Sequence, residues 1–115
     1  MTDISNQARG RWGEDLAARY YERRGATVAD RNWRCPTGEH DLVVDDHGTY
    51  VFVEVKARRT ERFGPPAAAV GVAKQQRIRR LAVEWLRAHG HPRVEVRFDV
   101  VSITGVHLEC IEGAF

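Results

Sequence analysis

Cysteine is scarce in this chain of 115 residues, and the two that occur, Cys35 and Cys110, lie far apart. Neither belongs to a CxxC or CxxH pair, which argues against a zinc site built on such spacings. A chain of this length can bury a core without disulfide staples. We therefore expect reduced thiols in a cytoplasmic protein.

Long apolar runs are also missing. No run approaches the length of a membrane span, and the first residues lack the basic-then-apolar pattern of a signal peptide. The composition, 43% hydrophobic and 30% charged, is typical of a globular chain, and we assign residues 1–115 to a single domain. The formal net charge is only +2, so the charge of the whole molecule does not by itself indicate binding to nucleic acid.

Lysine is rare among the 18 basic residues, since only Lys56 and Lys74 are lysines and all the others are arginines. Arginine carries a fixed planar fork of donors, whereas lysine is a compact charge whose pKa responds to its surroundings. The two lysines are therefore candidates for positions that a guanidinium cannot fill.

One of these lysines belongs to the most informative pattern of the chain, in which Asp41 is followed after twelve residues by Glu54 and Lys56. The two parts lie in predicted strands over 40–44 and 50–56. Because strand side chains alternate between faces, Glu54 and Lys56 share one face. Two acids beside a lysine can hold a divalent cation and orient a water molecule, which is the chemistry of phosphodiester hydrolysis.

The element order follows from apolar periodicity and from the glycine and proline breaks. The patterns predict a helix over 5–24, a strand over 27–33, strands over 40–44 and 50–56, a helix from 66 or 67 to 89, a strand over 94–100 and a short strand over 107–111. This α-β-β-β-α-β order predicts an α/β fold with a mixed sheet flanked by helices.

The loop between the two central strands decides whether Asp41 and Glu54 share a face, because a one-residue slip reverses every side chain. A four-residue loop over 45–48 places them diagonally on one face, and a two-residue loop over 47–48 places them directly opposite. A three-residue loop over 46–48 sends them to opposite faces and excludes the site. The turn residues are compatible with all three.

Further polar groups are predicted to reach the same place. Glu14 on the first helix would be a third acid. Lys74 and Gln75 precede Ile78 by four and three residues, which extends the apolar stripe of the second helix and suggests that they face a cleft.

Oxygen ligands without histidine or thiolate favour Mg²⁺ or Mn²⁺. We predict Asp41 and Glu54 as metal ligands, with the Val55 carbonyl as a further one and Glu14 either binding the metal or holding a metal-bound water. Lys56 would orient the attacking water or offset charge on the phosphate. Nearby arginines would bind phosphates; they are Arg58, Arg59, Arg62 and Arg77.

Each residue also has an ordinary structural interpretation. Glu54 and Lys56 can form an exposed cross-strand ion pair of little energetic value, and Glu14 can be a solvated helix residue. Asp99 is a weaker candidate on the alternate face of its strand. The five histidines show no ligand spacing and are predicted on surfaces or loops, whereas the three tryptophans are predicted in the core.

Several sequence blocks together resemble the YraN family of small bacterial proteins, which is similar to the PD-(D/E)xK nucleases and to archaeal-type Holliday junction resolvases. The blocks, which span nearly the whole chain, are Gly13-Glu14, Asn32-Trp33-Arg34, Gly38-Glu39-His40-Asp41-Leu42-Val43, Phe52-Val53-Glu54-Val55-Lys56-Ala57-Arg58 and Arg97-Phe98-Asp99-Val100-Val101. One departure is His40, where the family usually has an apolar residue and many nucleases have proline.

The resemblance implies a restriction-endonuclease-like core. It maps Glu14, Asp41, Glu54 and Lys56 onto the acidic helix residue and the catalytic triad of those nucleases, and Gln75 onto a supporting polar position. It also implies a homodimer, by analogy with the resolvases. We therefore expect a Mg²⁺-dependent endonuclease acting on branched or structured DNA. The alternatives are a nucleic-acid-binding protein that cleaves weakly or not at all, and an interaction module of a DNA-processing complex.

Overall fold

The computed structural model describes residues 2–58, 70–91 and 93–115, and in these ranges it describes the side chains from residue 10 onward except that of Arg58. The elements are α1 (Thr2–Arg23), β1 (Thr27–Cys35), β2 (Gly38–Asp46), β3 (Thr49–Arg58), α2 (Val72–Ala88), β4 (Glu95–Thr104) and β5 (His107–Ile111). The predicted α/β class is confirmed, and the five-stranded mixed sheet with two helices is consistent with a restriction-endonuclease-like core.

The second helix begins later than the sequence predicts. Gly71 has extended dihedrals (φ −73°, ψ 168°) and forms the N-cap, so the helix starts at Val72 rather than at 66 or 67. Glycine is a poor helix former, so Gly71 favours a helix boundary at this position. Residues 59–69, which include the predicted start, lie outside the described residues.

The strands lie side by side in chain order, β1 to β5, and all neighbouring pairs are antiparallel except β3 and β4, which are parallel. Helix α1 covers one face of the sheet and α2 covers the other, so the central strands are apolar on both sides. The α1 layer includes Ala17, Tyr21, Leu42, Val53 and Ile103. The α2 layer includes Val43, Phe52, Ile78, Trp85 and Phe98. In the part of the chain described, no helix combines the length and apolarity needed to cross a membrane.

The turn between β2 and β3 has two residues, which decides among the three loop lengths. Asp46 pairs with Thr49 and Leu42 pairs with Val53. His47 and Gly48 both have positive φ, 54° and 96°, as a type I′ hairpin turn requires. Extended by one pair, this register would bring Asp41 opposite Glu54, but the observed pairing ends at Leu42 and Val53.

Two interpretations made from the sequence are wrong. Asp99, a weaker candidate for the site, is instead fully buried under α1 and hydrogen-bonded to Tyr21 and Arg97. Trp12 is not a core residue, since it is 45% exposed. In both cases the strand or helix was identified, but whether another element covers the residue was not.

The approach of α1 to β3 depends on Gly13. A Cβ at this position would lie 3.1 Å from Ala57 Cβ and 3.4 Å from Val55 Cγ1, whereas a Cβ at Gly10 would meet nothing within 4 Å. We expect Gly13→Leu to lower the free energy of unfolding by about 1–3 kcal/mol through overpacking. Gly10→Leu is the matched control and should be neutral or stabilising, because leucine is a better helix former than glycine. Urea unfolding of both variants measures this, and equal effects would contradict the close packing at Gly13.

Candidate functional site

The hydrogen-bonded ladder between β2 and β3 ends one pair before the predicted acids. Its last pair is Leu42 with Val53, while β3 stays paired with β4 as far as Arg58. Beyond the last pair, the Val55 amide donates a hydrogen bond to Asp41 Oδ2 at 2.9 Å. The Asp41 side chain therefore accepts a hydrogen bond from a backbone amide of β3. Its carboxylate lies between the two strands at the open end of the hairpin.

Glu54 lies beside Asp41 and is contacted by both lysines of the chain. Its Oε1 is 2.7 Å from Lys74 Nζ and 3.6 Å from Lys56 Nζ, and its side chain is only 15% exposed. Helix α2 supplies Lys74 and strand β3 supplies Lys56, so two elements that are distant in sequence meet at one carboxylate. Burial and the neighbouring Lys74 lower the pKa of Lys56. Burial also opposes the charge of Lys74, but the Glu54 carboxylate raises the pKa of Lys74 overall.

The pKa of Asp41 is far above the ordinary value of an aspartate. Burial, followed by the negative charge of Glu54, raises the pKa of Asp41 to about 7, and the hydrogen bond from the Val55 amide only partly opposes this. Glu14 contributes to the same rise through its charge, which places the three acids in one electrostatic neighbourhood. Perturbed carboxylates in such a cluster are typical of functional sites.

Glu14 reaches this neighbourhood because Gly13, the residue before it, lets α1 approach β3 closely. The Glu14 side chain is 12% exposed, and its Oε1 is buried with no hydrogen-bond partner. The Arg31 guanidinium is 3.8 Å from this oxygen and is bound more closely by Asp15, at 2.6 Å. Burial raises the pKa of Glu14, although the Asn32 and Arg31 side chains oppose the rise. A buried acceptor without a donor is costly and needs an explanation.

The other predicted site residues are placed differently. The Gln75 side chain donates to the Val70 carbonyl at 3.0 Å, so it holds the segment before α2 and makes no described contact with the acids. Arg77 is exposed on α2. The predictions for the Arg58 side chain and for Arg59 and Arg62 lie outside the described residues.

His40 was predicted on a surface or in a loop, and this is wrong. Its ring is 3% exposed and lies 4.7 Å from the Phe52 ring and 6.2 Å from the Trp33 ring, between centroids. Its Nε2 is buried without a hydrogen-bond partner, and burial lowers the pKa of His40. The family resemblance drawn from the sequence carried one signal of this, since it implies an apolar residue at this position.

The donor set fits a hard divalent cation with an incomplete protein shell. Among the described residues, no three His, Cys, Asp or Glu side chains form a ready-made metal cage. Mg²⁺ commonly binds through one or two carboxylates and keeps several waters, so Asp41 and Glu54 are sufficient in number and type. The buried Glu14 Oε1, which has no hydrogen-bond partner, could accept a hydrogen bond from a water on such a cation.

Comparison with known proteins gives a family but no reaction. A family model described as "Uncharacterised protein family UPF0102" matches residues 13–103. A UPF0102 protein of Rhodococcus jostii is 55% identical, covering 96% of this chain and 98% of the relative. A second from Frankia casuarinae is 51% identical with the same coverage, and a third from Frankia alni is 47% identical over the full length of both chains.

Proposed function

Since the chain belongs to the uncharacterised family UPF0102, the YraN family that its motifs resemble, we propose its function from the site: a Mg²⁺- or Mn²⁺-dependent endonuclease that hydrolyses phosphodiester bonds in branched or structured DNA. The observation that supports this most is the meeting of Asp41, Glu54 and Lys56 at the open end of the β2–β3 hairpin.

Each residue has a role that its position favours. Asp41 and Glu54 would hold the cation, and Glu14 would accept a hydrogen bond from a water bound to it. When bound, the cation would polarise a phosphoryl oxygen and acidify a water molecule. Lys56, whose pKa is lowered by burial, lies on the same side of β3 as Glu54 and would orient the attacking water or offset charge on the phosphate.

The partners and location are proposed with the activity. DNA is the proposed partner, and the exposed Arg77 would bind its backbone together with Arg58, Arg59 and Arg62. A homodimer is proposed only by analogy with the resolvases. Free Cys35 and Cys110 suit the reducing cytoplasm.

Calorimetry with Mn²⁺ tests the metal site directly. We expect one site in the wild type, and no detectable binding in Asp41→Asn or Glu54→Gln, because each change removes a charged oxygen ligand. Glu95→Gln is a matched control, since Glu95 pairs with Thr49 at the opposite end of the β3–β4 ladder and should bind Mn²⁺ normally.

A cleavage screen over duplex, flap, four-way-junction and single-stranded DNA then tests the reaction. Cleavage that survives Glu54→Gln and Lys56→Met would contradict the proposed mechanism. DNA binding with no cleavage and no Mn²⁺ site would instead support a scaffold that has lost catalysis. Failure to bind DNA or RNA of any shape would support a protein-interaction module.

A further inference from the structure

Lys74 stands at a position that local rules disfavour for a cation. It lies in the first turn of α2, which contains no acidic residue. The N-cap residue before this turn is a glycine, which provides no side-chain hydrogen bond to the helix end. The positive end of the helix dipole disfavours a cation there. A residue that breaks a local rule is expected to be compensated by a tertiary contact, and often has a function.

The compensating contact is the ion pair with Glu54. Lys74 Nζ lies 2.7 Å from Glu54 Oε1, nearly an ångström closer than Lys56 Nζ, which contacts the same oxygen at 3.6 Å. Both side chains of the closer pair are mostly buried, at 29% and 15% exposed, so solvent screens this contact less than a surface pair. Lys74 thus occupies an oxygen that a divalent cation would need.

The charges of the site lead to the same conclusion. The ammonium groups of Lys56 and Lys74 already lie at the Glu54 carboxylate, and a divalent cation would add two positive charges beside both of them. Repulsion of this kind is strongest where solvent is partly excluded. The group that shares the oxygen most closely is the one expected to leave.

We infer that Lys74 is an internal counter-ion of Glu54 that competes with the divalent cation, and that the cation releases it to bind a phosphate group of the DNA. This deepens the proposed function and rests on it. In the metal-free protein Lys74 would position the Glu54 carboxylate, and in the metal-bound protein it would bind the DNA substrate.

Mn²⁺ affinity measures the competition. Lys74→Met keeps most of the side-chain length without the charge, and Lys74→Gln is a second, polar variant. We expect both to bind Mn²⁺ about tenfold more tightly than the wild type. Arg77→Met, which removes an exposed cation one turn further along α2, should change Mn²⁺ affinity less than about twofold.

DNA affinity with and without Ca²⁺, used here as a non-cleaving cation, measures the release. Without Ca²⁺ the wild type and Lys74→Met should bind a four-way junction about equally, because Lys74 is held by Glu54. With saturating Ca²⁺ the variant should bind about tenfold more weakly, since a charged hydrogen bond to phosphate is lost. Arg77→Met should weaken binding by the same factor in both conditions.

The scarcity of lysine allows a direct spectroscopic test. With ¹³C-lysine labelling the chain gives only two Cε signals, and Lys74→Met identifies that of Lys74. We expect Mg²⁺ to move the Lys74 signal toward that of free lysine, and Glu54→Gln to do the same without Mg²⁺.

The outcomes separate this inference from the proposed function. If neither the wild type nor Lys74→Met binds Mn²⁺, the metal site and this inference both fail. If the wild type binds Mn²⁺ through Glu54 but Lys74→Met binds it no more tightly, only the competition is overturned. An equal DNA-binding ratio with and without Ca²⁺ would overturn the release to phosphate.

Discussion

Replacing Asp99 by alanine is expected to lower the free energy of unfolding by about 3–5 kcal/mol, the range found when one partner of a buried ion pair is removed. Asp99 is fully buried and accepts hydrogen bonds from the Tyr21 hydroxyl at 2.7 Å, from Arg97 Nε and Nη2 at 2.9 and 3.1 Å, and from the Gly113 amide at 3.0 Å. Without the carboxylate these donors lose their acceptor. The network also joins α1, β4 and the residues after β5, so its loss affects three parts of the chain.

Urea unfolding measures this effect, and two comparisons identify its cause. Glu109→Ala removes an exposed carboxylate from β5 and should change stability by less than about 0.5 kcal/mol. Adding Arg97→Met to Asp99→Ala should cost less than the sum of the single changes, because each single change already breaks the same Arg97–Asp99 pair. A loss below about 1 kcal/mol for Asp99→Ala would show that water replaces the carboxylate without difficulty.

Asp99 also shows why sequence periodicity predicted the strands but not their surroundings. The alternation in β4 correctly places Asp99 on the face opposite Phe98. Residues 98–103 are all buried, however, because α1 covers one face of the sheet and α2 the other. A period of two distinguishes the two faces of a strand but does not say which face is solvated. Asp99 on the alternate face was therefore kept as a weaker candidate for the site.

The sequence limited the hairpin turn to three loop lengths but could not select one of them. Glycine at its last position suits several loop lengths, and the two-residue form also requires positive φ at His47, which is uncommon for residues other than glycine. The apolar strand segments settle the choice. The observed register aligns Val44 with Val51 and Leu42 with Val53 on the face under α1, and a one-residue slip would expose them.

Lys74 and Gln75 were predicted together, and the structure separates them. Successive helix residues point about 100° apart, so one can face β3 while the other turns toward the start of the helix. Lys74 reaches Glu54, whereas Gln75 bonds to Val70. The choice depends on how α2 is rotated over the sheet, and that rotation is set by long-range packing of Ile78 and Trp85 rather than by local sequence.

Asp41→Asn is expected to make the metal-free protein more stable than the wild type at about pH 8, by up to about 4 kcal/mol, with little difference at about pH 4. The pKa of Asp41 is raised from 3.8 to about 7, so the folded protein holds this proton more tightly than the unfolded chain. That contribution to stability is fully present below about pH 4 and is lost as the pH rises through about 7. Asparagine stays neutral throughout, and its carbonyl oxygen can still accept the Val55 amide.

Unfolding in urea across this pH range, in buffer with a chelator, measures the difference between the two proteins. Asp45→Asn is the control, because Asp45 accepts a hydrogen bond from Gly48 in the exposed hairpin turn and should show no such gain at high pH. If Asp41→Asn is instead less stable than the wild type at both ends of the range, Asp41 serves as a structural acceptor. A gain confined to high pH, together with loss of Mn²⁺ binding in the same variant, would mean that the fold tolerates an unfavourable charge beside Glu54. A structural role does not require that charge, whereas a divalent cation does.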